Sequence, residues 1–256
     1  MSGSALTSII ITGCLLAAIL LGSQLRRRLS PQHLTADTKE ILKLTTGLVA
    51  TMTALVLGLL VSSAKDSYDA NRTQVIQMAA KITLLDRLLG IYGPESAEAR
   101  GMMRAAVEDS MAKIWPADGH QEAQLAANVQ AGNSAYAAVL RLDPHDDAIR
   151  VTLKAQASTL VQELGAMRTL LEAQSVTSIS TPLLAVVVCW LSLIFLSFTL
   201  LAPANATANA ALIVSVFSCA AALLLILELD RPFTGLIKIS SDPVQHACSQ
   251  LAKPAP

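Results

Sequence analysis

Six charged residues are spaced so that they could do chemistry at the edge of a membrane. Glu228, Asp230 and Arg231 follow directly on an apolar run that reaches Leu227. Lys65, Asp69 and Arg72 follow on another that ends at Ala64. Charges at the lip of a membrane helix are costly unless paired or wet. One chemistry that fits is a lock of ion pairs and hydrogen bonds, and Asp69 and Arg72 are themselves neighbours on a helix face. The other is an ion or proton site, with Glu228 and Asp230 as ligands and Arg231 setting the local potential. Pro232 ends the helix behind them, because it has no N–H and clashes with the preceding turn.

A second set is small instead of charged. Gly47, Thr51, Ala54, Gly58 and Ser62 recur every three or four residues, which puts them on one helix face. Small residues let helix backbones approach in lipid, so the face can be a helix–helix seam. The alternative is a pore-lining face.

The elements that must position these residues are apolar. Of 256 residues, 53% are hydrophobic and 15% are charged, where a soluble domain carries about 25% charged residues. Residues 5–25, 44–64, 183–202 and 208–227 are free of charge, and about 20 apolar residues suffice to cross a bilayer as helix. The expected fold is all-α: an integral membrane protein with four transmembrane helices and a helical-bundle soluble insert between spans two and three. The expected domains are 1–64, the first transmembrane pair with its basic loop; 65–181, the soluble helices; 182–231, the second pair; and 232–256, a short tail. Arg26, Arg27, Arg28, Lys39 and Lys43 make residues 24–43 the densest basic stretch. That loop is expected in the cytoplasm, with the helical domain and both termini periplasmic.

No breaker separates residues 44–64 from the following charged residues, so one helix should run straight out of the membrane. Val75, Ala79, Ile82, Leu85, Leu89 and Tyr92 mark its apolar face, and Gly90 to Pro94 stop it. A second soluble helix is expected over 95–114, with Met103, Val107, Ser110 and Ile114 inward. A third is expected over 120–141, with Leu125, Val129, Gly132, Tyr136 and Val139 inward. Asp143 and Pro144 read as the cap and first residue of a fourth. Its inward face is Ile149, Leu153, Leu160, Leu164, Met167 and Leu171. Pro182 opens the third span and residues 203–207 form a hairpin into the fourth. A further small-residue row there, Ala211, Ser215, Ser218 and Ala222, gives more seam than one four-span unit needs, which points to a homo-oligomer.

Several classes are disfavoured. Net charge is zero and aromatics are 4%, so neither a basic footprint nor stacking platforms for nucleic acid exist. The chain contains no GxSxG, Walker loop, HExxH or dinucleotide fingerprint, so no enzyme activity and no cofactor are expected. Asp143, His145, Asp146 and Asp147 read as a capped helix start, not a metal cluster. Of the four cysteines, Cys14, Cys189 and Cys219 fall inside spans and behave as small hydrophobes.

Leu229-Asp230-Arg231-Pro232-Phe233-Thr234-Gly235, followed by Ser240 to Pro243, resembles the closing signature of a bacterial family of bestrophin-like membrane proteins. Tyr68-Asp69-Ala70-Asn71-Arg72 and Trp115-Pro116 resemble its post-membrane and mid-domain motifs, and the likeness covers nearly the whole chain. It implies kinship with bestrophins, which are oligomeric anion channels with bulky pore constrictions in the second span. Residues 44–64 hold no Phe, Tyr or Trp, so an aromatic neck is not expected. The function expected is an oligomeric ion channel or passive transporter in the bacterial inner membrane, with the lipid bilayer as its surroundings. The alternative is a non-transporting scaffold or sensor whose helical domain binds a protein partner.

Overall fold

In the computed structural model the apolar runs all become helix. The structure describes residues 3–28, 35–116, 123–124, 129–174, 181–203, 205–233, 235 and 237–251. Among these no strand occurs. The helices are α1 (Gly3–Arg28), α2 (Ala36–Tyr92), α3 (Ala97–Ile114), α4 (Val129–Leu140), α5 (Ala148–Gln174), α6 (Thr181–Leu201), α7 (Ala206–Leu229) and α8 (Asp242–Leu251). Four of them, α1, α2, α6 and α7, are long and apolar enough to cross a membrane. The chain divides into two units, Met1–Ser67 with Thr177–Arg231, and Tyr68–Val176 with Pro232–Pro256.

In the first unit α1 packs on α6 and α7. Its buried stripe is Ile11, Leu15, Ala18 and Gly22, a series that shrinks toward the basic end. At Gly22 an added Cβ would lie 2.9 Å from the Thr199 Cβ and 3.1 Å from the Leu196 carbonyl oxygen. The glycine is therefore what lets α1 and α6 meet backbone to backbone. Arg26 donates to the carbonyl of Ala202, meeting one of the acceptors that the end of α6 leaves over. The core continues through Leu60, Val187, Leu191, Phe195, Val216 and Leu223. Its hydroxyls turn back on their own helices: Thr12 to Ser8, Thr53 to Val49, Ser192 to Val188 and Thr199 to Phe195, all at 2.7–2.8 Å.

The second unit begins with the later half of α2, whose face Val75, Ala79, Ile82, Leu85, Leu89 and Tyr92 is buried as the pattern requires. Gly93, at φ 120°, turns the chain into a short 3-10 helix, Pro94–Ser96. Ser96 Oγ donates to the carbonyls of Leu89 and Gly93 at 2.5 and 2.7 Å, so the turn itself satisfies the end of α2. Arg150 lies over the Tyr92 ring at 5.4 Å and bonds Glu95 at 3.1 Å. That bond and the backbone hold the Glu95 carboxyl below its usual range, the backbone contributing most. From α3, Arg100 reaches Asp86 of α2 at 2.7 Å, with side chains only 12% and 14% exposed.

Four details of the second unit depart from the sequence expectation. The start of α5 is capped by Asp147, whose Oδ1 accepts from Ile149 N at 2.8 Å, and not by Asp143. Asp143 instead accepts from His145 N, inside a turn that carries His145 and Asp146 at φ 48° and 61°. A left-handed pair reverses the chain before helical geometry can begin. The inward face of α4 is Ala135, Ala138 and Val139, with Gly132 exposed and Tyr136 half-buried. Tyr136 turns its hydroxyl to Gln162 Nε2, which donates at 2.6 Å. Leu125 and the side chain of Val129 lie outside the described residues. On α5, Ile149 is exposed and Arg168 is buried. Finally, the tail is not plain: Val244, Ala247, Cys248 and Leu251 form the buried face of α8, which packs on α3.

Candidate functional site

The first unit holds the small-residue face. Helix α2 is striped there in three ways. Thr46, Thr53, Leu60 and Ala64 are buried against its own unit. Gly47, Thr51, Ala54, Gly58 and Ser62 are all exposed. Beside them runs a stripe of Leu44, Leu48, Leu55 and Leu59, also exposed. Successive residues turn by about 100° on a helix, so these three sets occupy separate sectors.

A Cβ added at Gly47 or Gly58 would meet nothing within 4 Å. The face is thus not a seam between helices of this chain, among the described residues; that role falls to Gly22 of α1. Leucine side chains present a wide apolar surface there, and the small stripe leaves the helix backbone open instead. Thr51 Oγ1 donates to the Gly47 carbonyl at 2.9 Å, so its remaining capacity is as an acceptor on an open surface. Ala211, Ser215, Ser218 and Ala222 of α7 are likewise exposed, and Ser215 and Ser218 donate to the carbonyls of Ala211 and Val214.

The charged set falls into both units. In the first, Glu228 is buried at 3% exposure, Asp230 and Arg231 are half-buried, and Lys65 is exposed. Asp230 N donates to the Ile226 carbonyl at 3.2 Å and Arg231 N to that of Glu228 at 3.2 Å, which winds α7 to its end. Ala64, the residue before Lys65, belongs to the same core as Leu223 and Ile226. In the second unit Asp69 is half-buried and Arg72 exposed. Asp69 is on the rim of an open groove with Thr73, Gln77, Lys81 and Glu163, where Lys81 and Glu163 pair at 2.5 Å.

The motif residues around Trp115 and Phe233 come together in the second unit. The two rings stand edge to face, 5.8 Å between centroids. Trp115 Nε1 donates to the Ile239 carbonyl at 2.8 Å, and Ile239 N donates to the Pro232 carbonyl at 2.8 Å. Gly235, at φ 121°, makes the reversal between them. The sequence signal that links residues so far apart is that both fall in stretches resembling motifs of one family.

Among the described residues no His, Cys, Asp or Glu groups converge as a metal site. Sequence reasoning missed two residues that matter structurally. Gly22 recurs four residues after Ala18 on the buried stripe. Arg168 sits between Leu164 and Leu171 in the buried register of α5, and that register was the available signal.

A family model described as a bestrophin-like domain matches residues 13–244. No curated protein and no solved structure matches the chain.

Proposed function

The chain belongs to the bestrophin-like family, and from that premise we propose that it works as an oligomeric ion channel or passive transporter. Membership and four apolar helices make it a membrane protein. The observation that carries the transport reading is the open face of Gly47, Thr51, Ala54, Gly58 and Ser62 beside a leucine stripe on the same helix. A helix bathed wholly in lipid needs no such division. A helix that shows one sector to lipid and another to a wet axis between copies of the chain does need it.

In this reading Lys65, Glu228, Asp230 and Arg231 form an interfacial lock between the middle of α2 and the end of α7, and Asp69 and Arg72 belong to the second unit. Burial of Glu228 supports a lock, because a buried carboxylate needs a partner. The same charges, set at one mouth, would bias which ions enter. The basic loop after α1 is cytoplasmic and the lipid setting is a bacterial inner membrane.

Flux from liposomes holding purified protein tests the reading. Current or ion release is expected from the parent and is expected to fall at least about tenfold in Gly58→Leu, since an isobutyl group on the open face narrows the lumen. No flux at any salt or pH would instead favour a scaffold or sensor whose helical unit binds a partner.

A further inference from the structure

We propose that the end of α1 binds the headgroup of an anionic phospholipid, with its phosphodiester on Arg27 and Arg28 and its acyl chains along the leucines before them. Arg26, Arg27 and Arg28 close the helix in succession, and the fold gives them different work. The buried stripe of α1 is Ile11, Leu15, Ala18 and Gly22, and Arg26 continues it at the same spacing. Its guanidinium donates to the Ala202 carbonyl. Arg27 and Arg28 fall on the other side of the helix and are exposed. Neither has an ion pair or a hydrogen bond among the described residues.

What precedes each of them is apolar. Leu20 stands two turns before Arg27 and Leu21 two turns before Arg28, so each pair shares a face. Leu25 is one turn before Arg28 on that same face. These leucines are 62%, 58% and 42% exposed. Because α1 is long and apolar enough to cross a membrane, they meet acyl chains. The two guanidiniums then stand where the apolar run ends, at the level of the headgroups. Loop charge alone would orient the chain whichever way its side chains pointed. The division of the arginines, one inward and two outward over leucine, is what calls for a ligand.

A phosphodiester suits the planar guanidinium fork and gives charge-assisted bonds. The lipid should carry net negative charge, since a zwitterionic headgroup brings its own cation. Lys39 and Lys43, exposed on the first turns of α2 in the same unit, add to the attraction. Asp37 and Glu40 beside them lie at the positive end of the α2 dipole, which favours carboxylates there. Close packing at Gly22 and the Arg26 bond hold the last turns of α1 in place, so binding does not have to order them. The inference needs the membrane setting and not the transport reading.

Thermal unfolding of full-length protein in a non-ionic detergent provides the test. Dioleoylphosphatidylglycerol is expected to raise the melting temperature saturably, as a ligand of the native state does. Dioleoylphosphatidylcholine is expected to need at least about tenfold higher concentration for the same rise. Arg27→Gln combined with Arg28→Gln is expected to keep the parental melting temperature without lipid. It should need at least about tenfold more phosphatidylglycerol, because each basic residue at such a surface is worth about fivefold in affinity. Inorganic phosphate at the same concentrations is expected to have no effect, which separates a lipid from a free anion. Equal action of the two lipids, a phosphate effect as large as that of phosphatidylglycerol, or an unchanged lipid requirement in the double variant overturns the proposal.

Discussion

The two units differ in where their longer polar side chains find partners. In the second unit several reach beyond their own element: Arg100 to Asp86, Lys81 to Glu163, Gln74 Nε2 to the Met167 carbonyl at 2.6 Å, and Trp115 to the Ile239 carbonyl in the segment before α8, while Thr83 still bonds the Ala79 carbonyl of its own helix. In the first unit Thr12, Thr53, Ser192 and Thr199 each bond a carbonyl of their own helix, four residues back. Arg26 crosses to Ala202 where α1 and α6 end. The difference is the one expected on the reading proposed above, with the first unit in lipid and the second in water. Lipid offers no substitute partner when helices part, so each hydroxyl is best closed within its own helix before assembly. Water offers one everywhere, so cross-helix bonds can be used for register. Both units have cores of large apolar side chains, Leu15, Leu191 and Phe195 in the first and Leu85, Leu89 and Leu171 in the second, and the first adds a close backbone approach at Gly22.

Breaking a cross-helix pair should hurt most. Arg100→Ala leaves Asp86 as a largely buried, uncompensated carboxylate and is expected to cost about 3 kcal/mol. Thermal unfolding of detergent-solubilised protein should show the loss, and Arg100→Met with Asp86→Leu together should recover most of it. A double variant as unstable as the single one would mean the pair is not what matters there. Gly22→Leu should come next, at about 1–3 kcal/mol, because the side chain enters the space of Thr199 and Leu196. Unchanged stability would remove α1 and α6 from the list of close seams. Smallest is Thr53→Val. Its hydroxyl serves only its own helix, so the change is expected to stay within about 0.6 kcal/mol. A loss comparable to Arg100→Ala would erase the distinction between the units.

The sequence made the long elements legible and the short ones not. Helix α2 could be read to its end because no breaker lies between Leu44 and Tyr92 and because Val75 to Tyr92 keep one apolar face. The exposure of the small-residue stripe could not be read, since spacing alone marks a face without saying what covers it. Asp143 and Asp147 are equally good caps by residue type. The turn through His145 and Asp146 decides between them, and that turn depends on backbone angles no pattern announces. Helix α8 was legible, since Val244, Ala247, Cys248 and Leu251 keep the spacing of an amphipathic helix; only its ten-residue length and its place in the tail hid it. Arg168 was passed over because a charged residue is assigned to solvent by type, although its register places it inside.

On the transport reading α2 shows one sector to water and the adjoining one to lipid. With the four native cysteines replaced, Gly58→Cys and Leu59→Cys can be compared in sealed membrane vesicles using a membrane-impermeant thiol reagent. Rapid labelling of the first is expected, with at least about tenfold slower labelling of the second, because thiolates form and react in water and not in hydrocarbon. Equal protection of both, or faster labelling at position 59, would contradict it.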